Sequence, residues 1–289
     1  MSRKGLFLFI ATGIAWGLPY FFIRIAVEDF STPTIVFARV LIGSVVLIPL
    51  AIYRKALMPA IKQWRWVLAF AAIEMIGPWW LITDAERHIS SGLAGLLVAT
   101  VPFFGVLIAY FFQGDKSVKH PKTLIGLVVG FVGVLLLVGV DSLAGYISPI
   151  HVLMVILASL GYAIAPAIAA QKLTKVETVG VIALSMTMVV AVYAWPALSA
   201  LPAEIAAQPA AESWIALLVL GVICSAVAFV LFFDLVKQIG SARATMVTYL
   251  NTVIALLIGI LFLSEPVTPG IIIGFPLVLV GSYFASKKH

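Results

Sequence analysis

Long runs of apolar residues follow one another along almost the whole of this 289-residue chain. A helix needs about 20 apolar residues to cross a bilayer core roughly 30 Å thick, where every backbone hydrogen bond must be made within the protein. Hydrophobic residues make up 63% of the chain, charged residues 10%, and the mean hydropathy is +1.17. These values exclude an ordinary soluble domain and predict an all-α polytopic membrane protein.

The apolar runs predict ten transmembrane helices joined by short links. The predicted spans are 5–27, 33–53, 65–87, 91–112, 121–140, 149–171, 177–199, 213–236, 241–263 and 270–286. The longest link, residues 199–213, is rich in Ala and Pro and is typical of a surface loop. No link is long enough for a soluble domain, so we expect any chemistry to lie within or beside the spans.

The basic residues fall on one side of this arrangement. Most of the 18 Lys and Arg residues lie at the two termini and in the links 54–65, 116–122, 172–175 and 237–243. Because cytoplasmic loops carry an excess of Lys and Arg, both termini are predicted to be cytoplasmic. This bias explains the net charge of +6 without a nucleic-acid partner.

The two halves of the chain resemble each other when they are shifted by 150 residues. The shift pairs Asp84 with Asp234, Arg87 with Lys237, Ser91 with Ser241 and Asp115 with Glu265. Near the front of each half, "IAWGLP" faces "LGYAIAP". We therefore expect two repeats, residues 1–145 and 146–289, with five spans each. An odd number of spans inserts the second copy upside down, and such inverted repeats are typical of secondary transporters.

Several short motifs together resemble the EamA family of the drug/metabolite transporter (DMT) superfamily. The motifs are "WG" in the first span, Arg39 after Pro33 in the second, Pro102 in the fourth, Asp115 in the link that follows, and a Gly-rich fifth span. The departures from the family pattern are Asp115 in place of Glu, Tyr162 in place of Trp, and Asn251 or Thr252 in place of Pro. Within the family, the aromatic-rich first half is most like the YddG-type amino-acid exporters.

Ionisable residues inside the spans are candidates for a site, because they are costly in hydrocarbon unless they face a cavity or a partner. Glu74, near the middle of the third span, is either a proton or substrate-ammonium site or a carboxyl bonded to a neighbouring helix. Arg39 either holds a substrate carboxylate or pairs with the acidic residues Glu28, Asp29 and Asp84. The availability of that cluster favours the pairing.

Helical periodicity adds two predictions. Trp16, Tyr20 and Arg24 recur every four residues and are expected to face a central cavity. A polar stripe in the ninth span either lines an aqueous path, which we favour, or packs against another helix; its residues are Ser241, Thr245, Thr248 and Thr252. Close helix packing is predicted at Gly126, Gly130, Gly133, Gly270 and Gly274. His88 is interpreted as a solvated charge, and the single cysteine, Cys224, as core packing.

These observations predict a central cavity between the two halves. The expected substrate-binding residues are Trp16, Tyr20, Arg39, Glu74, Trp79, Trp80, Phe103, Tyr162, Tyr249, Asn251 and Thr252. Prolines within spans permit kinks at gates, and those expected here are Pro19, Pro78, Pro102 and Pro166. No cofactor, metal or nucleic acid is expected. The expected partners are a small-molecule substrate and the lipid bilayer, with a monomer as the assembly and a homodimer as the alternative.

The resemblance implies a secondary transporter that exports amino acids, including aromatic and apolar ones, or similar small metabolites by alternating access. We expect it in the cytoplasmic (inner) membrane of a bacterium and expect no enzymatic activity. One alternative is a multidrug exporter with Glu74 as the counter-ion of lipophilic cations. The alternative from a different class is a membrane receptor or enzyme, which predicts neither an inverted repeat nor substrate flux.

Overall fold

The computed structural model describes residues 2–113, 120–143, 148–239, 244 and 246–286, which are helical almost throughout. The α-helices are α1 Arg3–Ala26, α2 Thr32–Tyr53, α3 Leu57–Lys62, α4 Trp64–Ala71, α5 Gly77–Ala85, α6 Ser91–Val98, α7 Val101–Gln113, α8 Pro121–Leu143, α9 Pro149–Lys172, α10 Thr178–Ala206, α11 Ala211–Gly221, α12 Ala228–Ile239, α13 Val247–Phe262 and α14 Pro269–Ser286. π-Helical segments at Ala72–Ile76 and Val222–Val227 join α4 to α5 and α11 to α12. The prediction of an all-helical protein is confirmed.

Seven helical stretches within the described residues are long and apolar enough to cross a membrane. Three shorter apolar helices, at 121–137, 247–262 and 269–284, overlap the predicted fifth, ninth and tenth spans. The chain is therefore a polytopic membrane protein. The count of ten spans stays a prediction.

The predicted fourth span is divided into α6 and α7, which are separated by Ala99 and Thr100. Pro102 lacks the N–H that would bond the carbonyl of the residue four positions earlier, so the helix is interrupted there. Side chains bond the carbonyl groups at the break. Thr100 Oγ1 donates to the Leu97 oxygen at 2.7 Å, and Ser282 Oγ donates to the Ala99 oxygen at 2.8 Å. An interrupted helix is tolerated in a membrane when neighbours supply such bonds.

The two π-helical segments start 150 residues apart and occupy the same position in the two halves. A π-helical turn widens the backbone, and neighbouring hydroxyl groups bond to carbonyl groups of each segment or its flank. Tyr193 Oη donates to the Ile76 oxygen at 2.7 Å, and Ser225 Oγ donates to the Leu220 oxygen at 2.8 Å. These segments lie at mid-helix, where they orient the side chains of the site described below.

The helices pack in a pattern that is preserved when the two halves are exchanged. Helix α2 packs on α10, and α8 packs on α14. Helix α1 packs on α11, α12 and α13, whereas α9 packs on the corresponding α4, α5, α6 and α7. Most of the long helices are therefore in contact with the opposite half of the chain.

Helices α8 and α14 approach each other closely at glycines. A Cβ atom added to Gly281 would lie 2.3 Å from the Gly130 nitrogen, and one added to Gly133 would lie 2.8 Å from the Val278 nitrogen. Gly274 has the same role, because its Cβ would lie 2.6 Å from the Gly133 oxygen. The prediction of close packing is confirmed at Gly130, Gly133 and Gly274.

The links that carry most acidic residues meet at one end of the helices, which we call the acidic side. There, Ser31 N donates to Glu204 Oε1 at 2.9 Å and Ala210 N donates to Asp29 Oδ2 at 3.0 Å. At the opposite end, the basic side, Arg54 pairs with Glu177 at 3.2 Å. Each of these contacts joins the first half of the chain to the second.

Candidate functional site

A cavity of about 610 Å³ lies between the two halves. This volume falls in the range of pockets that bind small molecules. The cavity reaches the basic side at Thr178 and Met246, whose side chains are exposed. Toward the acidic side it ends at Ile23 and Ile82, which are 2% and 4% exposed. The structure is therefore open toward the basic side and closed toward the acidic side.

The cavity brings together most of the residues that the sequence predicted. The predicted residues that line it are Trp16, Pro19, Tyr20, Arg39, Glu74, Trp79, Pro102, Tyr162, Pro166, Tyr249 and Asn251. They come from both halves of the chain and from helices distant in sequence. That they bind a substrate stays a prediction.

Two predicted residues of α5 lie away from the cavity. Trp80 is 38% exposed, whereas its neighbour Trp79 is 4% exposed and lines the cavity. Adjacent residues of an α-helix point about 100° apart, so both indoles cannot face the same space. Pro78 is buried against α9, where a Cβ on Gly161 would lie 2.9 Å from its ring.

Phe103 and Thr252 also lie outside the cavity wall. The ring of Phe103 covers Gly130 of α8, which leaves space for it only because it has no side chain. Thr252 is fully buried, and its Oγ1 donates to the Thr248 oxygen at 2.9 Å. In the predicted polar stripe, Thr248 lines the cavity, Thr252 packs between helices, and Ser241 and Thr245 lie outside the described residues.

Arg39 is held on the cavity wall by a hydroxyl group and an aromatic ring. Its Nε donates to Ser225 Oγ at 2.8 Å, and its guanidinium carbon lies 3.8 Å from the Trp79 ring centroid. Only 8% of the residue is exposed. Within the described residues, Nη1 and Nη2 donate no hydrogen bond to protein, so these nitrogens are available to a ligand.

The favoured prediction that Arg39 pairs with the acidic cluster is wrong. Arg39 forms no ion pair with any described Asp or Glu. Glu28 instead pairs with Arg24 at 3.2 Å, and Asp84 accepts a hydrogen bond from Thr32 at 3.1 Å. Partners closer to the acidic side occupy these carboxylates, whereas Trp79 holds the Arg39 side chain deeper in the protein.

Arg24 does not face the cavity, although Trp16 and Tyr20 on the same helix do. Besides its ion pair with Glu28, it donates from Nη1 to the backbone oxygen of Glu86 at 3.0 Å. It directly follows Ile23, at which the cavity ends, and its side chain lies on the acidic side.

Glu74 lies in the first π-helical segment and lines the cavity. Its Oε2 is buried and has no hydrogen-bond partner among the described residues. The predicted alternative, a carboxyl bonded to a neighbouring helix, is therefore not seen in this part of the chain. Burying a carboxyl without a partner costs several kcal/mol, so a carboxyl so placed is suited to a proton or a cationic ligand.

An aromatic wall near the basic side was not predicted from the sequence. Phe229, Phe232 and Phe233 of α12 line the cavity beside Trp16. The Trp16 ring lies 4.7 Å from the Phe232 centroid and 5.7 Å from the Phe229 centroid, the latter edge to face. The spacing 229, 232, 233 places the three rings on one helix face, and this was the signal available in the sequence.

Other candidate residues are placed away from the cavity. His88 is exposed and its ring stacks on His151 at 3.9 Å between centroids. Cys224 is a buried free thiol, as expected for core packing. Within the described ranges, no group of three or more His, Cys, Asp and Glu side chains is placed to hold a metal ion.

The sequence profile of the EamA-like transporter family matches this chain twice, at residues 3–139 and at residues 149–287. The chain belongs to the EamA-like transporter family. The two matches cover nearly the whole chain and divide it near the boundary between the predicted repeats. This EamA-like chain is also 27% identical to the uncharacterized transporter YoaV of Bacillus subtilis (strain 168), over 95% of this chain and 94% of that protein.

Two further relatives of the EamA-like chain differ in how specifically they are named. It is 26% identical to the uncharacterized inner membrane transporter YedA of Escherichia coli (strain K12), over 85% of this chain and 78% of that protein. It is 24% identical to a protein of Streptantibioticus cattleyicolor named probable terminal-alkyne amino-acid exporter, over 99% of this chain and 94% of the relative. A protein of known crystal structure shares the fold, with a TM-score of 0.65 at 19% identity over 99% of this chain and 97% of that one.

Proposed function

We propose that this protein is a secondary transporter that exports amino acids, including aromatic and apolar ones, or similar small metabolites. The observation that carries the proposal is the presence in one cavity of Arg39 and Glu74, neither of which has an ionic partner among the described residues. A buried charge is costly unless it is paired. An amino acid supplies a carboxylate for the first and an ammonium group for the second.

The surroundings of Arg39 suit a carboxylate ligand. Its guanidinium plane is fixed by Trp79 and Ser225, while Nη1 and Nη2 can donate two parallel bonds to a carboxylate. Tyr162 lies close enough to both Arg39 and Glu74 to interact electrostatically with each. Both charged groups line the same cavity, and we propose that an amino acid bound beside Tyr162 directs its carboxylate to Arg39 and its ammonium group toward Glu74.

The aromatic wall suits the side chain of an amino acid. Trp16, Phe229 and Phe232 present ring faces and edges, which bind apolar or aromatic groups through contact area with little hydrogen-bond discrimination. One relative is named a probable exporter of a terminal-alkyne amino acid. This name and the wall together support amino acids as the substrate class.

We further propose ten spans arranged as two inverted five-helix repeats, residues 1–145 and 146–289. Three observations support the division into repeats. The family profile matches each half once, and the π-helical segments lie 150 residues apart. The helix contacts also follow the same pattern when the two halves are exchanged. In such transporters one repeat rocks against the other around a central site. The present structure then corresponds to the state that opens toward the basic side.

The charge bias supports the sidedness of this arrangement. With the basic side cytoplasmic, both termini face the cytoplasm of a bacterium and the cavity opens inward to collect its substrate. The same proposal includes export as the direction of transport and no enzymatic activity. It also includes a monomer in the lipid bilayer as the assembly, with no nucleic-acid partner. A homodimer is the alternative assembly.

Substitution of Arg39 tests the proposed binding mode. In proteoliposomes we expect Arg39→Gln to lower the kcat/KM of amino-acid transport about tenfold or more, because a hydrogen bond to a charged group contributes about 1.5–3 kcal/mol. Arg24→Gln is the matched control, since Arg24 carries the same charge outside the cavity; it should stay within about threefold of wild type. Equal losses in both variants would contradict a specific role for Arg39.

A lipophilic-cation exporter remains a second candidate, because the unpartnered Glu74 and the aromatic wall would also suit a cation. The guanidinium of Arg39 on the same wall repels cations, and this favours the amino acid. The same proteoliposomes separate the two functions. Transport of a cationic dye without transport of any amino acid would overturn the first proposal and support the second.

A further inference from the structure

Glu86 is a buried carboxyl group that the proposed transport site does not use. It follows the last residue of α5 on the acidic side and has no exposed surface. Both of its carboxyl oxygens are buried and have no hydrogen-bond partner among the described residues. Its side chain does not line the cavity. A carboxyl so placed is stable only in its neutral form or beside a compensating cation.

The charges around Glu86 do not compensate it. Burial and then repulsion from Glu265 raise the pKa of Glu86 well above its usual range, whereas attraction to Arg24 and Arg39 acts in the opposite direction. Arg24 is already paired with Glu28 at 3.2 Å, and Arg39 is held in the cavity by Ser225.

Tyr20 also interacts electrostatically with Glu86, and its hydroxyl is a weak acid that carries no charge near neutral pH. The group that most directly opposes a charge on Glu86 is therefore Glu265 of the second half.

Glu265 joins the two halves on the acidic side. Its Oε1 accepts a hydrogen bond from Ser91 N at 2.6 Å, and its Oε2 accepts one from Gly92 N at 2.9 Å. These amides begin α6, where a helix favours negative charge. Gly259 provides the space, because a Cβ there would lie 2.3 Å from Oε2. Glu265 thus ties the second half of the chain to the start of α6 on the acidic side.

We propose that Glu86 is a proton-binding site whose protonated form keeps the acidic side closed. As a neutral acid, Glu86 fits its buried position and leaves Glu265 on the α6 amides. When it releases its proton to the solution on the acidic side, the resulting carboxylate repels Glu265 and must be hydrated, and both effects favour opening. Glu265 would then leave Ser91 and Gly92, and the two halves would separate on this side. The inference rests on the alternating-access part of the proposed function and not on the substrate.

A thiol reporter at Ser91 measures this opening without transport. Ser91 is fully buried, and its Oγ has no hydrogen-bond partner among the described residues, so Ser91→Cys is nearly isosteric there. The reporter is placed in a Cys224→Ala background and the protein is held in lipid nanodiscs. Maleimide labelling is followed at about pH 6 and about pH 8.5 in protein with Glu86 and with Glu86→Gln. Comparison of the two at each pH cancels the pH dependence of thiol chemistry.

We expect the protein with Glu86 to label about fivefold or more faster than the Glu86→Gln protein at the higher pH, and at a similar rate at the lower pH. Glu212→Gln is the matched control, because Glu212 is an exposed carboxylate at the start of α11 on the same side; it should keep the wild-type pH response. Equal labelling of the Glu86 and Glu86→Gln proteins at both pH values would overturn the proposal. Failure of Glu86→Gln to fold would do the same, since glutamine mimics the protonated acid. Labelling does not depend on any substrate, so it distinguishes this failure from failure of amino-acid transport.

Discussion

Arg39 and Glu74 are two ionisable side chains that the sequence located within spans and the structure brings to one cavity. The sequence identified them because charged residues are rare in apolar runs. It could not decide their partners, since Ser225 and Trp79 reach Arg39 from helices distant in sequence. Glu28, Asp29 and Asp84, the partners that the sequence suggested for Arg39, were wrong, because other groups on the acidic side bind them.

The stability of the protein is expected to depend on pH through Glu86. Its folded-state pKa is raised by burial and by Glu265, whereas the unfolded chain has the ordinary value of about 4.3. The folded state therefore binds this proton more tightly, and the stabilisation present in acid is lost as the pH rises toward the folded-state pKa. One group contributes a slope of at most about 1.4 kcal/mol per pH unit.

Thermal unfolding between about pH 6 and about pH 9 checks this expectation. The melting temperature of wild type should fall as the pH rises, and Glu86→Gln should flatten the decrease. Glu212→Gln should leave it unchanged, because Glu212 is an exposed carboxylate without a part in this site. An identical pH slope in wild type and Glu86→Gln would show that Glu86 does not carry the proton.

At the scale of helices, the predicted spans overlap helices of the described residues, but the sequence did not show where those helices are interrupted. Pro102 marked a possible kink, and the structure shows a break between α6 and α7. The π-helical segments at Ala72–Ile76 and Val222–Val227 were not predicted, because the apolar pattern of the sequence does not distinguish a π-helical turn from an α-helical one. The phenylalanines of α12 were missed because their neighbours Val230 and Leu231 are also apolar, so the pattern there does not show which face lines the cavity.

The contact between α8 and α14 provides a test of helix packing. Gly281→Ala is expected to destabilise the protein by about 1–3 kcal/mol, because the new methyl group would overlap the backbone of Gly130. Gly105→Ala is the matched control, as a Cβ there has no neighbour within 4 Å and alanine favours a helix. Thermal unfolding in the same detergent measures both variants. Equal stability of the two variants would contradict close packing at this contact.

Across the whole molecule, the two halves enclose a cavity that is open on one side and closed on the other. Asp29, Glu204 and Glu265 each bond a residue of the other half and together hold the acidic side. The sequence predicted two halves from weak matches in a common order, and the family match at residues 3–139 and 149–287 is consistent with that division. It could not predict which side is open, since this depends on contacts between the links in space.

The central claim is that one cavity binds both charged groups of an amino acid. Counterflow of labelled phenylalanine, phenylalaninamide and 3-phenylpropionate in proteoliposomes tests it most directly, because the three share a ring and differ only in the head group. Phenylalanine should exchange, and the analogues, which lack the carboxylate or the ammonium group, should exchange about tenfold or more slowly. Exchange of either analogue as fast as phenylalanine, or no exchange of phenylalanine at all, would contradict the account.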